Sequence, residues 1–308
     1  MQIKAFGNIT GEIQSEIESI AKDSTLYEEV NFDRRVQAID YIEFNVVERI
    51  EGLLLASSQT DELTGLKQDA ERVKAQLEEI DANLFRRLRA DIRAGACAGT
   101  AFKGQIDKYV RRDSRDGGKQ EDMGYDSLDV FINGLLLTQP APVETKEREP
   151  EMVYNQPTPA RIILDLIEQA NLTEKEVFYD LGSGLGQVPI LVNLLSGARA
   201  KGVEFEPAYC AFARACAADL NLAQVEFIND DARTADYLDG TVFFMYTPFE
   251  GGLLQQVLER LRGESRRRTI RLFTYGPCTL QVSRQHWLKR VDQNGVNQIY
   301  KLGAFSSL

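Results

Sequence analysis

The 308-residue sequence contains a single histidine, His286, and four cysteines, none of which forms a C-x-x-C pair. One histidine cannot build a multi-histidine metal site, and scattered cysteines do not supply the paired thiolates of structural zinc. We therefore predict no metal site. We interpret the four cysteines as structural residues with buried, reduced thiols: Cys97, Cys210, Cys216 and Cys278.

Long apolar runs and an excess of positive charge are also absent. No run approaches the roughly 20 residues that cross a bilayer, and the N-terminus lacks the basic and apolar segments of a signal peptide. The sequence therefore predicts a cytoplasmic protein that does not bind membranes. Its 36 basic and 47 acidic residues give a net charge of −11, which argues against sequence-independent binding to nucleic acid.

Proline is missing from the first 139 residues, whereas all nine prolines follow. This asymmetry favours helices in the first part, where apolar residues from Leu63 to Leu84 recur in steps of three and four. We predict an all-α helical bundle over residues 1–140 with a mobile polar loop at Arg111–Tyr125. An exposed, proline-rich linker at 141–152 would join it to a second domain at 153–308.

Two groups of arginines have alternative interpretations. Arg86, Arg89 and Arg93 share a helical face that is either solvated, which we favour, or a docking surface for an acidic partner. The run Arg266–Arg268 is likewise either a solvated turn, which we favour, or part of an RNA groove.

Beyond the linker, helical and strand-like segments alternate, which predicts an α/β fold with a mostly parallel sheet. Thr158 and Pro159 are expected to cap and begin the first helix. The sequence Asn294-Gly295 predicts an antiparallel C-terminal hairpin between Trp287–Val291 and Ile299–Leu302. The predicted strands are Val177–Leu181, Ala198–Glu204, Gln224–Asn229, Thr241–Tyr246 and Ile270–Tyr275.

A glycine-rich turn follows the first of these strands with the pattern D-x-G-x-G-x-G, beginning at Asp180. A dinucleotide fold would require glycine where this chain has Gln187. The carboxylate of Asp180 would repel a pyrophosphate, but it can accept hydrogen bonds from a cationic amino-acid group. This chemistry indicates S-adenosylmethionine (SAM).

Two further acids follow the next predicted strands. Glu204 ends the second strand, where an acid grips ribose hydroxyls, and Asp231 follows the third, where it can bind the adenine amino group. The alternative is that Asp180, Glu204 and Asp231 only cap helices. The full predicted cofactor set is Asp180, Gly182, Ser183, Gly184, Gly186, Gln187, Glu204, Phe205, Asp231, Ala232 and Tyr246.

Over residues 150–308 these features resemble the class I, seven-stranded SAM-dependent methyltransferases. The run from Asp180 to Val188, followed by Gly202-Val203-Glu204, is especially similar to the first motif of the non-SET histone-lysine methyltransferases. Gln156-Pro157-Thr158-Pro159 resembles the P-T-P lead-in of bacterial relatives. The resemblance implies a Rossmann-like methyltransferase sheet and SAM as cofactor, whereas the helical first half resembles no characterised family.

The segment after the fourth strand bears on the acceptor. Methyltransferases that modify adenine or glutamine nitrogens have D/N-P-P-Y/F there, whereas this chain has Tyr246-Thr247-Pro248-Phe249. The histone-lysine family carries Asn-Asn-Phe, of which only the phenylalanine is present. We expect Tyr154, Tyr246 and Phe249 to form an aromatic collar around a neutral amine. The predicted acceptor-binding residues are Tyr154, Gln156, Thr158, Thr247 and Phe249.

The function predicted from the sequence is SAM-dependent N-methylation of a protein lysine or a small molecule. Methyl transfer needs positioning and desolvation rather than a dedicated base, so no catalytic residue is assigned. The alternative is a non-catalytic scaffold that binds SAM. The helical domain would either select the acceptor or form a homodimer.

Overall fold

The computed structural model describes residues 2–56, 60–110, 125–295 and 298–308. These residues form two compact units. The helical unit takes in the described residues up to Leu88 and from Gly104 to Val110, and the sheet unit takes in Arg89–Lys103 and the described residues from Tyr125 onward. The expected domain boundary at residue 140 stays a prediction. The expected mobile loop lies outside the described residues, apart from Tyr125.

The described residues of the proline-free part are mostly helical, as predicted. Ile13, Val46, Leu63 and Leu77 are buried together in the core of the helical unit. One helix runs through Ile42–Val47 in a π-helical stretch. The helices are α1 (Gln2–Lys22), a 3₁₀ turn (Ser24–Tyr27), α2 (Phe32–Tyr41), α3 (Glu48–Ala56), α4 (Thr60–Arg93) and α5 (Thr100–Tyr109).

A buried arginine lies in the helical unit. The Arg35 side chain is fully buried, and its Nε donates to Oδ1 of Asp81 at 2.7 Å. Its remaining donors bind main-chain oxygens, including that of Glu28 at 2.7 Å. Burial raises the pKa of Asp81 to about 6, although the neighbouring Arg35 opposes this shift. Arg35 and Asp81 therefore form a buried ion pair, and removing either side chain would leave the other without its counter-charge.

Seven strands form the sheet in the order β3-β2-β1-β4-β5-β7-β6. The first five are parallel, and β7 runs antiparallel to both β5 and β6. This is the mostly parallel α/β sheet with an antiparallel C-terminal pair that the sequence predicted. The strands are β1 (Val177–Leu181), β2 (Arg199–Glu204), β3 (Val225–Asn229), β4 (Val242–Tyr246), β5 (Arg271–Tyr275), β6 (Leu288–Arg290) and β7 (Gly303–Ser307).

The last strand corrects one prediction. Ile299–Leu302 is not a strand; the chain pairs with β5 and β6 only from Gly303 onward. A Cβ atom at Gly303 would lie 2.8 Å from Oγ1 of Thr274, so glycine allows β7 to approach β5 closely. Part of the expected turn, residues 296–297, lies outside the described residues.

Helices cover the sheet, and the first of them, α6, caps the second. The Ala160 N–H donates to Oδ1 of Asp129 at 2.8 Å, so a side chain from α6 caps α7. Thr158 is therefore not the cap that the sequence predicted, and α7 begins at Ala160 rather than Pro159. The helices are α6 (Ser127–Leu136), α7 (Ala160–Ala170), α8 (Gln187–Ser196), α9 (Pro207–Asp219), α10 (Gly251–Ser265) and α11 (Cys278–Val282).

Three of the six arginines with open interpretations bind within the chain, whereas Arg86, Arg266 and Arg267 are exposed, as the favoured interpretation predicted. Arg89 donates to the main-chain oxygen of Leu135 at 2.8 Å, and Arg93 binds the Asp219 carboxylate at 2.8 Å, so both serve helix C-terminal ends. Arg268 donates to the Gly240 oxygen at 2.7 Å. These three side chains are therefore neither simply solvated nor free to dock a partner.

Another arginine protects one edge of the sheet. Arg214 on α9 donates through Nε and Nη2 to the main-chain oxygen of Phe227 in β3, at 2.9 and 2.7 Å. All four cysteines are buried and free. Among the described residues, no helix is long and apolar enough to cross a membrane, and no group of acidic, histidine or cysteine side chains could hold a metal ion.

Candidate functional site

A cleft of about 1040 Å³, open solvent included, lies in the sheet unit at the carboxyl ends of β1, β2 and β4. Ligands of open α/β sheets bind at this edge. The cleft brings together nearly all the predicted residues: Asp180, Gly182, Ser183, Gln187, Glu204, Phe205, Asp231, Ala232 and Tyr246 of the cofactor set, and Tyr154, Gln156, Thr158, Thr247 and Phe249 of the acceptor set.

Gly184 and Gly186 do not line the cleft, because other groups cover them. A Cβ at Gly184 would lie 2.4 Å from Oδ1 of Asn155, and one at Gly186 would lie 2.6 Å from the ring of Phe227. Asn155 itself lines the cleft and was not predicted from the sequence. These glycines therefore allow close packing of the turn rather than forming its open surface.

Gly182 joins two loops. Its φ is +82°, and a Cβ there would lie 2.3 Å from Cβ of Pro248. Pro248 belongs to the Tyr246–Phe249 segment after β4, so the glycine lets the loops after β1 and β4 meet at the floor of the cleft. The glycine motif and the acceptor segment are thus fixed against each other.

Asp180 is 3% exposed, and within the described residues its carboxylate has no hydrogen-bond partner. Burial, and then the charge of Glu204, raise the pKa of Asp180 well above its ordinary value. Nearby in the chain, Oγ of Ser183 is buried and unpartnered. A polar ligand would supply the hydrogen bonds that these groups lack, and a cationic ammonium would pair with the carboxylate. The residues present therefore fit the amino-acid group of SAM.

Glu204 is buried and accepts two main-chain hydrogen bonds. Oε2 accepts from Gly184 N at 2.7 Å, and Oε1 accepts from Glu206 N at 2.8 Å. Burial raises the pKa of Glu204, although these two hydrogen bonds oppose the rise. Each carboxylate oxygen can accept a second hydrogen bond, so the side chain is oriented and can still bind two vicinal hydroxyls.

Asp231 and Gln187 also have partners within the chain. Arg233 donates to both oxygens of Asp231, at 3.0 Å from Nε and 2.6 Å from Nη2. The hydrogen bond from Arg233 lowers the pKa of Asp231, although burial opposes this. The side-chain amide of Gln187 donates to Asn133 of α6. Gln187 thus joins α6 to the start of α8 while it lines the cleft.

Residues 144–152, which we call the strap, follow the rim of the cleft. Most of these residues are exposed, and they are bound to the sheet unit. Glu206 accepts from Thr145 Oγ1 at 2.6 Å and from Lys146 N at 2.8 Å. Glu151 accepts from Gly252 N at 3.0 Å, at the start of α10. The expected linker is therefore part of the site.

Two cations of the strap lie over aromatic rings. Lys146 Nζ is 3.3 Å from the ring centre of Phe205, and the Arg148 guanidinium is 3.3 Å from that of Tyr154. Both contacts have the geometry of cation–π interactions. One face of the Tyr154 ring is therefore already covered. The contact between Lys146 and Phe205 could not be predicted, because these residues are far apart along the chain.

The opposite end of the cleft is aromatic. Tyr246 packs against Tyr275 with ring centres 4.9 Å apart. Burial and the neighbouring phenols of Tyr125 and Tyr300 raise the pKa of Tyr246 to about 12, so its hydroxyl stays protonated at neutral pH. Phe249 lines the cleft but is only 5% exposed and packs in the core of the sheet unit. Tyr125, Tyr275 and Tyr300, which were not predicted, lie near Tyr246 but do not line the cleft.

Thr247, next to Tyr246 at the aromatic end of the cleft, has a strained backbone conformation. Its φ is +36°, which is unusual for a β-branched residue. Oγ1 donates to the Tyr275 main-chain oxygen at 3.0 Å and accepts from Cys278 N at 3.2 Å. These hydrogen bonds fix the turn that follows β4, and with it Tyr246. Strain of this kind is concentrated at functional sites.

Comparison with protein families gives one match. Residues 138–227 match the model described as "Histone methylation protein DOT1". The match begins two residues after α6, includes the strap and the glycine motif, and ends within β3. No curated protein is similar enough to the chain to count as a match.

Solved structures of methyltransferases resemble part of the chain. An RNA methyltransferase from Salinibacter ruber with bound S-adenosylhomocysteine is 26% identical over 49% of this chain and 92% of its own, with a TM-score of 0.38. The precorrin-6y C5,15-methyltransferase from Geobacter metallireducens is 17% identical over 51% and 92%, with a TM-score of 0.38. A SAM-dependent methyltransferase from Thiobacillus denitrificans is 18% identical over 46% and 69%, with a TM-score of 0.36.

Proposed function

We propose that the sheet unit is a class I SAM-dependent methyltransferase that transfers the methyl group to an amine nitrogen, with a lysine side chain of a protein as the acceptor. The matched family is described by histone methylation, which supports a protein acceptor. The observation that carries the proposal is the lining of the acceptor end of the cleft. Tyr154–Thr158 and Tyr246–Phe249 contribute rings, hydroxyls and amides, but no carboxylate or imidazole.

The cofactor supplies an electrophilic methyl group on a sulfonium. In the proposal Asp180 binds its ammonium group, Glu204 its ribose hydroxyls and Asp231 its adenine amino group. All three acids line the one cleft. Their order along the sheet, at the ends of β1, β2 and β3, matches the order of the three groups along the cofactor.

The acceptor amine must be neutral to attack. Tyr154 and Gln156 are exposed at this part of the cleft, so the proton of the ammonium form can leave to solvent before the nitrogen lone pair attacks. The N–C bond would form as the S–C bond breaks, which would yield a methylammonium ion and S-adenosylhomocysteine. The polar groups of Gln156 and Tyr246 are proposed to accept N–H hydrogen bonds and so aim the lone pair. The tyrosine rings then stabilise the methylated cation.

The experiment is methyl transfer by the full chain from tritiated SAM to polylysine, with polyarginine and free lysine as parallel acceptors. The proposal expects label in polylysine that hydrolyses to methyl-lysine, and little label in polyarginine. Label in free lysine alone would replace the protein acceptor with a small molecule. If the protein binds S-adenosylhomocysteine but transfers label to none of the three acceptors, the proposal is contradicted.

A further inference from the structure

The guanidinium of Arg233 lies between two carboxylates from distant parts of the chain. On one side Asp231 accepts from Nε and Nη2, and on the other Glu149 of the strap accepts from Nη1 at 3.1 Å and from Nη2. Asp231 and Arg233 follow β3, whereas Glu149 is 84 positions away from Arg233. The strap therefore reaches the part of the cleft where the adenine amino group is proposed to bind.

The position of Glu149 is fixed from both sides. Toward its N-terminus, Glu206 holds Thr145 and Lys146. Toward its C-terminus, Glu151 accepts from Gly252 N, and Val153 N donates to the Pro248 oxygen at 3.0 Å. Glu149 thus presents its carboxylate from a backbone that is bound before and after it. Arg233 is held in place in turn.

This arrangement determines what Asp231 can bind. Arg233 keeps Asp231 ionised, and an ionised carboxylate only accepts hydrogen bonds. It can accept from the 6-amino group of adenine, whereas it repels the 6-carbonyl oxygen of hypoxanthine. Arg233 could itself donate to a 6-carbonyl oxygen, but Asp231 and Glu149 together engage its Nε, Nη1 and Nη2 atoms.

We propose that Glu149 and Arg233 are positioning residues that make the cofactor site select a 6-amino purine over a 6-oxo purine. The inference rests on the proposed placement of adenine at Asp231. Asp231 supplies the acceptor, Arg233 orients it, and Glu149 occupies the donors of Arg233 that would otherwise accommodate the wrong base. Loss of Glu149 therefore relaxes selectivity more than it weakens binding of the correct base.

The test is calorimetric binding of S-adenosylhomocysteine and S-inosylhomocysteine to the full chain. The unaltered protein should prefer the adenosyl compound by about tenfold or more. Glu149→Ala should reduce this ratio by about fivefold or more, because Arg233 regains free donors. Glu147→Ala is the matched control, since this exposed strap glutamate lies two positions away and its ratio should not change.

Two further variants keep the test decisive. Asp231→Asn offers an amide that can donate to a 6-oxo base, so its preference should fall toward or below one. Glu149→Gln retains the shape of the side chain and substitutes for Glu149→Ala if that variant does not fold. An unchanged ratio in the Glu149 variants would overturn the inference. An unchanged ratio in Asp231→Asn would refute the placement of adenine at Asp231. The polylysine assay tests the proposed methyl transfer independently of both results.

Discussion

Replacing Asp180 by asparagine should weaken cofactor binding and stabilise the protein without cofactor. The substitution keeps the side-chain shape but removes a charge that is 3% exposed and has no partner in the described part of the chain. A hydrogen bond between charged groups contributes about 1.5–3 kcal/mol, so S-adenosylhomocysteine should bind roughly 10- to 150-fold more weakly. In the cofactor-free protein the same substitution removes an unfavourable buried charge, so the free energy of unfolding should increase.

The pH dependence follows from the raised pKa of Asp180. Burial and the charge of Glu204 favour the protonated form, whereas a bound ammonium favours the ionised form. Cofactor binding should therefore release a proton, and affinity should increase as pH rises through the pKa of the free protein. Because that pKa lies above the unfolded value, the contribution of Asp180 to stability is present at acid pH and is lost as pH rises. The stabilisation by Asp180→Asn should accordingly grow with pH.

Titration calorimetry in two buffers of different ionisation enthalpy measures both the affinity and the proton release. Asp236→Asn is the control, since this exposed aspartate does not line the cleft and should leave both quantities unchanged. Chemical denaturation of the cofactor-free variants at several pH values measures the effect on stability. If Asp180→Asn bound as tightly as the unaltered protein and released the same number of protons, Asp180 would not be the ammonium ligand.

Three other substitutions test the packing of the chain by chemical denaturation. Gly182→Ala should lower the free energy of unfolding by about 2–5 kcal/mol, through backbone strain and overpacking. Gly197→Ala is its control, because Gly197 has φ +74° but open space around it, and strain alone should cost about 1–2 kcal/mol. Equal losses would contradict the close contact at Gly182. Asp81→Ala should lower the free energy of unfolding by about 3–5 kcal/mol, because Arg35 remains buried without its counter-charge. A loss no larger than that for an exposed ion pair would show that the main-chain oxygens alone stabilise the Arg35 guanidinium. Arg89→Ala should cost about 1–2 kcal/mol, since carbonyls at the end of α6 lose their donor; no loss would mean that water replaces it.

The sheet could be predicted because β1, β4 and β5 are short, largely apolar runs and the first five strands alternate with helical segments, and their ends deviate little from the predicted bounds. β7 could not be placed, since Gly303, Ser306 and Ser307 are weak strand formers and its pairing depends on contact with β5. Parallel strands bring their carboxyl ends to one edge, so the acids after β1, β2 and β3 could be expected to meet.

The strap and the arginines could not be assigned in the same way. Glu149 and Arg233 are 84 positions apart, and Arg93 and Asp219 are 126 apart, so no local pattern connects them. A charged, proline-containing segment looks the same in sequence whether it is solvated or bound to a rim. Only the fold brings Glu206, Gly252 and Pro248 to the places where they hold it.

The hydrogen bonds from Arg214 to β3 have a consequence for solubility. β3 and β6 are the two edges of the sheet, and an unprotected edge can recruit a strand from another molecule and begin aggregation. β6 has only three residues, which limits the length available for such pairing. On β3 the guanidinium occupies the Phe227 oxygen, so an incoming strand would have to displace a charged group first. One side chain on a neighbouring helix thus discourages the chain from polymerising along its longer exposed edge.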